Sequence, residues 1–132
     1  AHSTFSLLDG ASAPEALVAR AQALDMPALA LTDHDDLGGA VRFATAAREL
    51  GVGGIIGAEV SFVPPGTDRP TSLVLLAESR EGYGNISTLI TRARCDHPRG
   101  QPRITLEQLA AHSSGVYALS GAAHGWVPAL LH

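Results

Sequence analysis

Lysine is absent from the 132 residues, and all nine basic residues are arginine. A phosphate-binding loop of the Walker type needs a lysine, as does chemistry with a lysine amine as nucleophile, so both are excluded for this chain. Cys95 is the one cysteine, which excludes an internal disulfide framework. A single thiol fits a reducing compartment, and we therefore expect a cytoplasmic location.

Long apolar runs are also missing, although 45% of the residues are hydrophobic. No run approaches the roughly 18 residues that identify a membrane-spanning helix. This composition predicts a globular domain with a core of its own and no membrane partner. The formal net charge of −4 argues against a nucleic-acid clamp formed by this chain alone.

Short apolar runs alternate with segments of helical periodicity. Strands are predicted at 1–5, 28–32, 54–62, 72–77 and 116–119, and helices at 12–25, 37–50, 80–94, from 105, and at 127–131. This alternation favours an α/β fold with parallel strands covered by helices. A closed barrel of eight such units needs about 250 residues. The chain is therefore either an open sheet or part of a barrel, and we favour part of a barrel.

Several predicted helix ends carry a recognisable signal. Ser12-Ala-Pro-Glu15 has the pattern of a capping box with proline in the first turn. Asp35 and Asp36 precede the second helix and are suited to cap it. Gly51 is a common stop signal at the end of that helix.

Polar residues collect at the carboxyl ends of the predicted strands. His2 ends the first, Asp33 and His34 end the second, Glu59 lies near the end of the third, and Asp9 follows His2 in a turn. Each has an ordinary alternative: a terminal histidine, a turn carboxylate, a helix cap or an exposed edge residue. Together they would lie at one rim of the sheet, where α/β folds bind ligands. Histidine and carboxylate ligands suit zinc, manganese or iron.

Three segments resemble successive motifs of the polymerase and histidinol phosphatase (PHP) domain. They are His2-Ser-Thr-Phe-Ser-Leu-Leu-Asp-Gly10, Ala30-Leu-Thr-Asp-His-Asp35 and Ile56-Gly-Ala-Glu59. Further segments are similar to the N-terminal PHP domain of bacterial C-family DNA polymerases, most of all to the error-prone subgroup. These are Asp9–Ser12, Gly39–Phe43, Arg80–Tyr83, Leu89–Ala93 and Ala118–Gly121. The resemblance covers essentially the whole chain in unbroken order.

The resemblance implies part of a distorted (β/α)₇ PHP barrel with metal ions at the carboxyl ends of its strands. Residues 1–132 would then be a single PHP domain, truncated at both ends. Its partners would be the remainder of the polymerase chain and, through that chain, DNA. Four arginines around one loop fit either a solvated helix end or a contact with DNA or a neighbouring domain. They are Arg92, Arg94, Arg99 and Arg103.

By motif position, the resemblance also implies a set of site residues. His2, Asp9, His34 and Glu59 would bind divalent ions, Zn²⁺ or Mn²⁺, directly. Asp33 is a weaker candidate that would orient a neighbouring ligand. His34 and Asp9 are the residues we would expect to be catalytic in an active member.

Two departures from the family pattern predict an incomplete metal set. Ser72 stands where the family carries a histidine, and Ala122 stands where it carries a cysteine. His124 could substitute for the lost ligand or could be a solvated loop residue. We therefore expect a mainly structural role, with an active metal-dependent phosphoesterase (3′–5′ exonuclease or small-ester phosphatase) as the alternative.

Overall fold

The computed structural model describes residues 1–120; Ala122, His124 and the helix predicted at 127–131 lie outside that range. The helices are α1 (Pro14–Ala23), α2 (Ala40–Leu50), α3 (Arg80–Cys95) and α4 (Leu106–Ala111). The strands are β1 (Ala28–His34), β2 (Gly53–Val63), β3 (Thr71–Ala77), β4 (Ile104–Thr105) and β5 (Val116–Leu119). Over residues 1–120, no helix has both the length and the apolar character needed to cross a membrane.

The strands of the described residues form one mixed sheet in the order β1-β2-β3-β5, with β4 paired to the end of β2. β1 and β4 run parallel to β2, whereas β3 is antiparallel to both β2 and β5. The prediction of parallel strands is therefore wrong for β3. Residues 64–70 connect β2 to β3 without a helix, and a connection that short cannot make the crossover that parallel neighbours need.

The apolar core consists of two clusters that adjoin along β2. Phe43 of α2 is fully buried in the first cluster, together with residues of α1 and β1, and Ile56 packs against it. Phe62 of β2 is fully buried in the second, with Leu75 of β3 and Leu89 of α3. Because side chains alternate along a strand, the even-numbered residues of β2 share the helix-covered face. The odd-numbered residues, Glu59 among them, project to the opposite face.

Two predicted helix caps are wrong, and tertiary contacts explain both. Helix α1 begins at Pro14 with no side-chain cap, and Glu15 instead accepts hydrogen bonds from the Arg42 guanidinium, 2.9 Å from Nη2. Helix α2 begins at Ala40 after Gly39, again without a side-chain cap. The predicted stop at Gly51 is confirmed, since that residue has φ of 70° in the left-handed region.

The carboxylates predicted to cap α2 make other contacts. Asp35 accepts hydrogen bonds from the backbone N–H and hydroxyl of Ser61 at 2.8 and 2.7 Å. Asp36 accepts from the Gly38 N–H and from Arg94, whose Nη2 lies 2.6 Å away. These bonds tie the loop after β1 to β2 and to the end of α3, which draws both carboxylates away from the helix.

Helix α3 has a side-chain cap that α1 lacks, which allows a matched comparison. The Ser79 hydroxyl accepts a hydrogen bond from the Gly82 N–H at 3.1 Å, whereas Ser12 is exposed and makes no cap bond. We expect Ser79→Ala to lower the free energy of unfolding by about 1 kcal/mol and Ser12→Ala to leave it within about 0.5 kcal/mol. Urea unfolding followed by circular dichroism measures both. Equal losses in the two variants would contradict the assigned caps.

Candidate metal centre

The sheet places two of the predicted ligands side by side. β1 and β2 are parallel, and their register pairs His34 with Glu59. Paired residues of neighbouring strands point to the same face, so both side chains lie on the face opposite the helices. His34 is the last residue of β1, at the carboxyl end of that strand. This is the rim at which the sequence predicts the site.

Residues 1–10, which we call the N-terminal segment, bring the other two ligands, His2 and Asp9, to this rim. The strand predicted at 1–5 does not form; only Ala1 pairs with β1, donating its amine to the Ala30 carbonyl at 2.8 Å and accepting from the Thr32 N–H at 2.9 Å. The chain then turns back, with the Gly10 N–H bonded to the Ser6 carbonyl at 2.9 Å. The turn returns Asp9 to the side of His2.

The four side chains form one hydrogen-bonded cluster. His2 lies between two carboxylates, with Nδ1 2.5 Å from Asp9 Oδ2 and Nε2 3.0 Å from Glu59 Oε2. His34 Nε2 lies 3.2 Å from the same Asp9 oxygen. The two imidazole rings are stacked at a tilt, with centroids 4.3 Å apart. Side chains from three separate segments of the chain therefore form one cluster.

Asp9 is the most exposed of the four side chains, and the two histidines beside it favour its negative charge. The hydrogen bond with His2 is the main reason that the pKa of Asp9 lies below its usual value, and the bond with His34 adds to the effect. The carboxylate is therefore ionised throughout the neutral range. An ionised carboxylate beside two imidazoles is a suitable metal ligand.

Asp33 lies beneath the rim and does not join the converging ligands. The side chain is buried, and both of its oxygens accept hydrogen bonds. Oδ1 accepts from the Ser3 N–H at 2.6 Å and the Ser6 hydroxyl at 2.7 Å, and Oδ2 accepts from the Ser3 hydroxyl at 2.7 Å. The Ser6 hydroxyl also accepts from the His34 N–H at 3.1 Å. Asp33 thus anchors the segment that carries His2 and Asp9.

Three serines with a part in the site were not among the predicted site residues. Ser3 and Ser6 hold Asp33, and Ser61 holds Asp35, whose pKa is raised by burial against the opposing effect of the Ser61 bonds. Ser72 is the register partner of Ser61 near the start of β3. Isolated serines have no periodicity or spacing that would identify them from sequence.

The donor atoms fit a transition-metal ion. His2, His34 and Glu59 each offer one ligand atom, and these three atoms all lie within 4.8 Å of one another. Two imidazole nitrogens and a carboxylate oxygen are typical ligands of zinc, and manganese accepts the same types. Because the three residues come from the N-terminal segment, β1 and β2, a shared ion would link three parts of the fold.

Comparison with known proteins places the chain in a family. The family model of the PHP domain matches residues 1–132. An error-prone DNA polymerase from Mycolicibacterium paratuberculosis is 46% identical over 96% of this chain, and one from Symbiobacterium thermophilum is 40% identical over 98%. The match covers 12% and 13% of those two relatives, so the chain spans about one eighth of their length.

Two solved structures are also similar. One, from Bifidobacterium adolescentis, is assigned as a metal-dependent phosphoesterase; it has a TM-score of 0.58 and 26% identity over 71% of this chain and 31% of its own. The other is an amidohydrolase from Chromobacterium violaceum with sulfate bound and no metal. It has a TM-score of 0.58 and 32% identity over 70% of this chain and 31% of its own. The match of the family model along the whole chain shows that this chain belongs to the PHP domain family.

Proposed function

We propose that this chain acts as the PHP domain of an error-prone DNA polymerase in the cytoplasm. The proposal is supported by relatives of that name, which align with nearly all of this chain over a small part of their own length. The partners would be the remaining polymerase domains and, through them, DNA. In this proposal residues 1–132 form a single domain, and the sheet is part of a distorted (β/α)₇ barrel.

The domain would hold a divalent ion, Zn²⁺ or Mn²⁺, at the rim. The observation that carries this proposal is the convergence of three ligand atoms from His2, His34 and Glu59. Asp9, bonded to both histidines, would supply a further carboxylate oxygen. Asp33 would hold the N-terminal segment in place and so position His2.

The metal set would be incomplete and its role mainly structural. Neutral serine is a poor zinc ligand, and Ser72 stands where the resemblance to the family implies a histidine. A single ion at the rim would still join the N-terminal segment to β1 and β2. Structural ions of this kind contribute directly to folding free energy, because they bind the folded chain and not the unfolded one.

Replacing one ligand residue tests whether the rim binds a metal ion and whether that ion stabilises the fold. We expect metal-free protein to bind one equivalent of Mn²⁺ or Zn²⁺ with a rise in melting temperature, and His34→Ala to weaken that binding at least about 10-fold. His97→Ala is the matched control, because the His97 ring bonds the Ala93 carbonyl and does not belong to the three converging ligand residues. Calorimetric titration measures the affinity. Equal binding by His34→Ala and the parent chain would contradict the assigned site.

An active phosphoesterase is the second candidate, favoured by the similar structures. One is assigned as a metal-dependent phosphoesterase, and the other has sulfate, an analogue of phosphate, bound. A bound ion would supply Lewis acidity and a low-pKa water. His34 and Asp9 would then be the catalytic candidates, and the Asp9 carboxylate would be the proton acceptor at the rim.

An assay of phosphate-ester hydrolysis distinguishes the structural role from the active phosphoesterase. In the structural role, the Mn²⁺-loaded chain should release no more phosphate from p-nitrophenyl phosphate, or nucleotide from a DNA 3′ end, than His34→Ala does. Metal-dependent turnover that is lost in His34→Ala and kept in His97→Ala would establish the phosphoesterase instead.

A further inference from the structure

The His34 side chain has little packing around it to fix its position. It is 42% exposed, and its ring bonds Asp9 and stacks on His2, which both belong to the N-terminal segment. Asp9 is itself 53% exposed, so water competes for its bond to the imidazole. The orientation of His34 toward Glu59 therefore depends on the backbone at the end of β1.

The backbone leaves the strand directly after His34. Asp35 has φ of 47°, a left-handed conformation that is unfavourable for most residues with a Cβ and that aspartate and asparagine adopt more readily. The Asp35 N–H still bonds the Glu59 carbonyl at 2.9 Å, as in a continued parallel ladder. The turn therefore begins where the register of His34 with Glu59 ends.

The Asp35 carboxylate takes over the next position of the ladder. If β1 continued, the Ser61 N–H would bond the Asp35 backbone carbonyl. It instead bonds the carboxylate Oδ1 at 2.8 Å, and the Ser61 hydroxyl donates to Oδ2 at 2.7 Å. Ser61 follows Glu59 by two residues on β2, so the two side chains share one face. A single side chain thus joins the residue after His34 to the strand that carries Glu59.

We propose that Asp35 is a positioning residue for the metal centre, which holds the backbone after His34 against β2 and so keeps the His34 and Glu59 ligand atoms within reach of one ion. The proposal rests on the metal centre proposed above, and Asp35 is not one of its three converging ligands. Residue 35 then needs two properties, tolerance of a left-handed backbone and an oxygen that accepts from Ser61. Asparagine has both, glycine has the first alone, and alanine has neither.

Calorimetric titration of the 132-residue chain with Mn²⁺ tests this order of substitutions. We expect Asp35→Asn to bind within about threefold of the parent chain, Asp35→Gly about 10-fold more weakly, and Asp35→Ala most weakly of all. Ser61→Ala keeps the backbone bond and loses the hydroxyl, so its affinity should lie between those of the parent chain and Asp35→Gly. Each titration is run well below the melting temperature of the metal-free variant. A lower melting temperature with unchanged Mn²⁺ affinity would show a role in stability alone and overturn the proposal.

Asp25 offers a matched control for the strained backbone. It is also left-handed, with φ of 53°, but it is exposed and makes no side-chain bond within residues 1–120. Asp25→Ala and Asp25→Gly should leave the Mn²⁺ affinity unchanged. Equal losses of affinity in Asp25→Ala and Asp35→Ala would show an effect of backbone strain without any part for the carboxylate, and would overturn the proposal.

A measurement on the metal-free chain distinguishes failure of this proposal from failure of the metal centre. The rings of His2 and His34 lie close enough to shift each other's imidazole proton resonances. This ring-current shift should decrease in Asp35→Gly and persist in Asp35→Asn. If the shift responds in this way but the parent chain binds no Mn²⁺, the metal centre fails and the positioning of His34 by Asp35 stands. The same shift in all variants would overturn the positioning role, whether or not Mn²⁺ binds.

Discussion

Replacing Asp33 with alanine is expected to release the N-terminal segment from β1 and to weaken metal binding at the same time. The substitution removes the acceptor of three hydrogen bonds, from the Ser3 N–H, the Ser3 hydroxyl and the Ser6 hydroxyl. Ser3 and Ser6 are buried, so these donors would lose their partner where water is excluded. We expect the free energy of unfolding to fall by about 3 kcal/mol or more.

Two measurements and one control make this prediction specific. Urea unfolding gives the loss of stability, and Mn²⁺ titration reports whether His2 still reaches the rim. Asp68→Ala is the control, because Asp68 is an exposed carboxylate in the loop before β3, and its change should stay within about 0.5 kcal/mol. Unaltered Mn²⁺ affinity in Asp33→Ala would show that His2 is held at the rim without Asp33.

Asp33 and His34 point to opposite faces of the sheet because they are consecutive residues of one strand. Successive side chains of a strand point to opposite faces, so a strand that includes both residues must separate them. The strand predicted at 28–32 ends before both residues, so its alternation does not separate them, and only the resemblance gives Asp33 the weaker, orienting role. The observed strand extends to His34, which directs His34 to the rim and Asp33 toward the helices.

The direction of β3 could also have been predicted, whereas the pairing at the rim could not. The loop at 64–70 contains prolines and a glycine and no helical periodicity, so only an antiparallel return was open to the chain. The pairing of His34 with Glu59 depends on the register between two strands 19 residues apart, from 34 to 53. The hydrophobic pattern fixes which face each residue takes, but a slip of two residues keeps every side chain on its face, so the pattern does not select this particular pair.

The helix caps show how tertiary contacts override a local signal. Asp35 and Asp36 have the residue type and position of caps, yet each satisfies a distant partner on β2 or α3. Gly38 and Gly39 lie between these carboxylates and the first turn of α2, so both carboxylates are free to bond Ser61 and Arg94. The capping box instead forms at Thr105–Gln108, where the predicted start of the short helix is confirmed.

The second large effect is expected in α3, where two glycines two residues apart should respond in opposite directions to alanine. A Cβ at Gly82 would lie 1.7 Å from the backbone carbonyl oxygen of Gly115, in the turn that leads into β5. A Cβ at Gly84 would meet nothing within 4 Å. Both residues are helical, so the gain in helix propensity is the same for each substitution.

We therefore expect Gly84→Ala to stabilise the fold by about 0.5–1 kcal/mol, since alanine loses less backbone entropy than glycine in a helix. Gly82→Ala should destabilise it by about 3 kcal/mol or more, because a backbone atom and not a flexible side chain must move. The displaced turn also carries the Gly115 carbonyl that accepts from the Glu78 N–H at 2.9 Å. Hydrogen exchange at Glu78 should accelerate in Gly82→Ala alone. Stabilisation by both substitutions would contradict the close contact between Gly82 of α3 and Gly115 before β5. The position of β5 at the edge of the sheet would then not be held by α3.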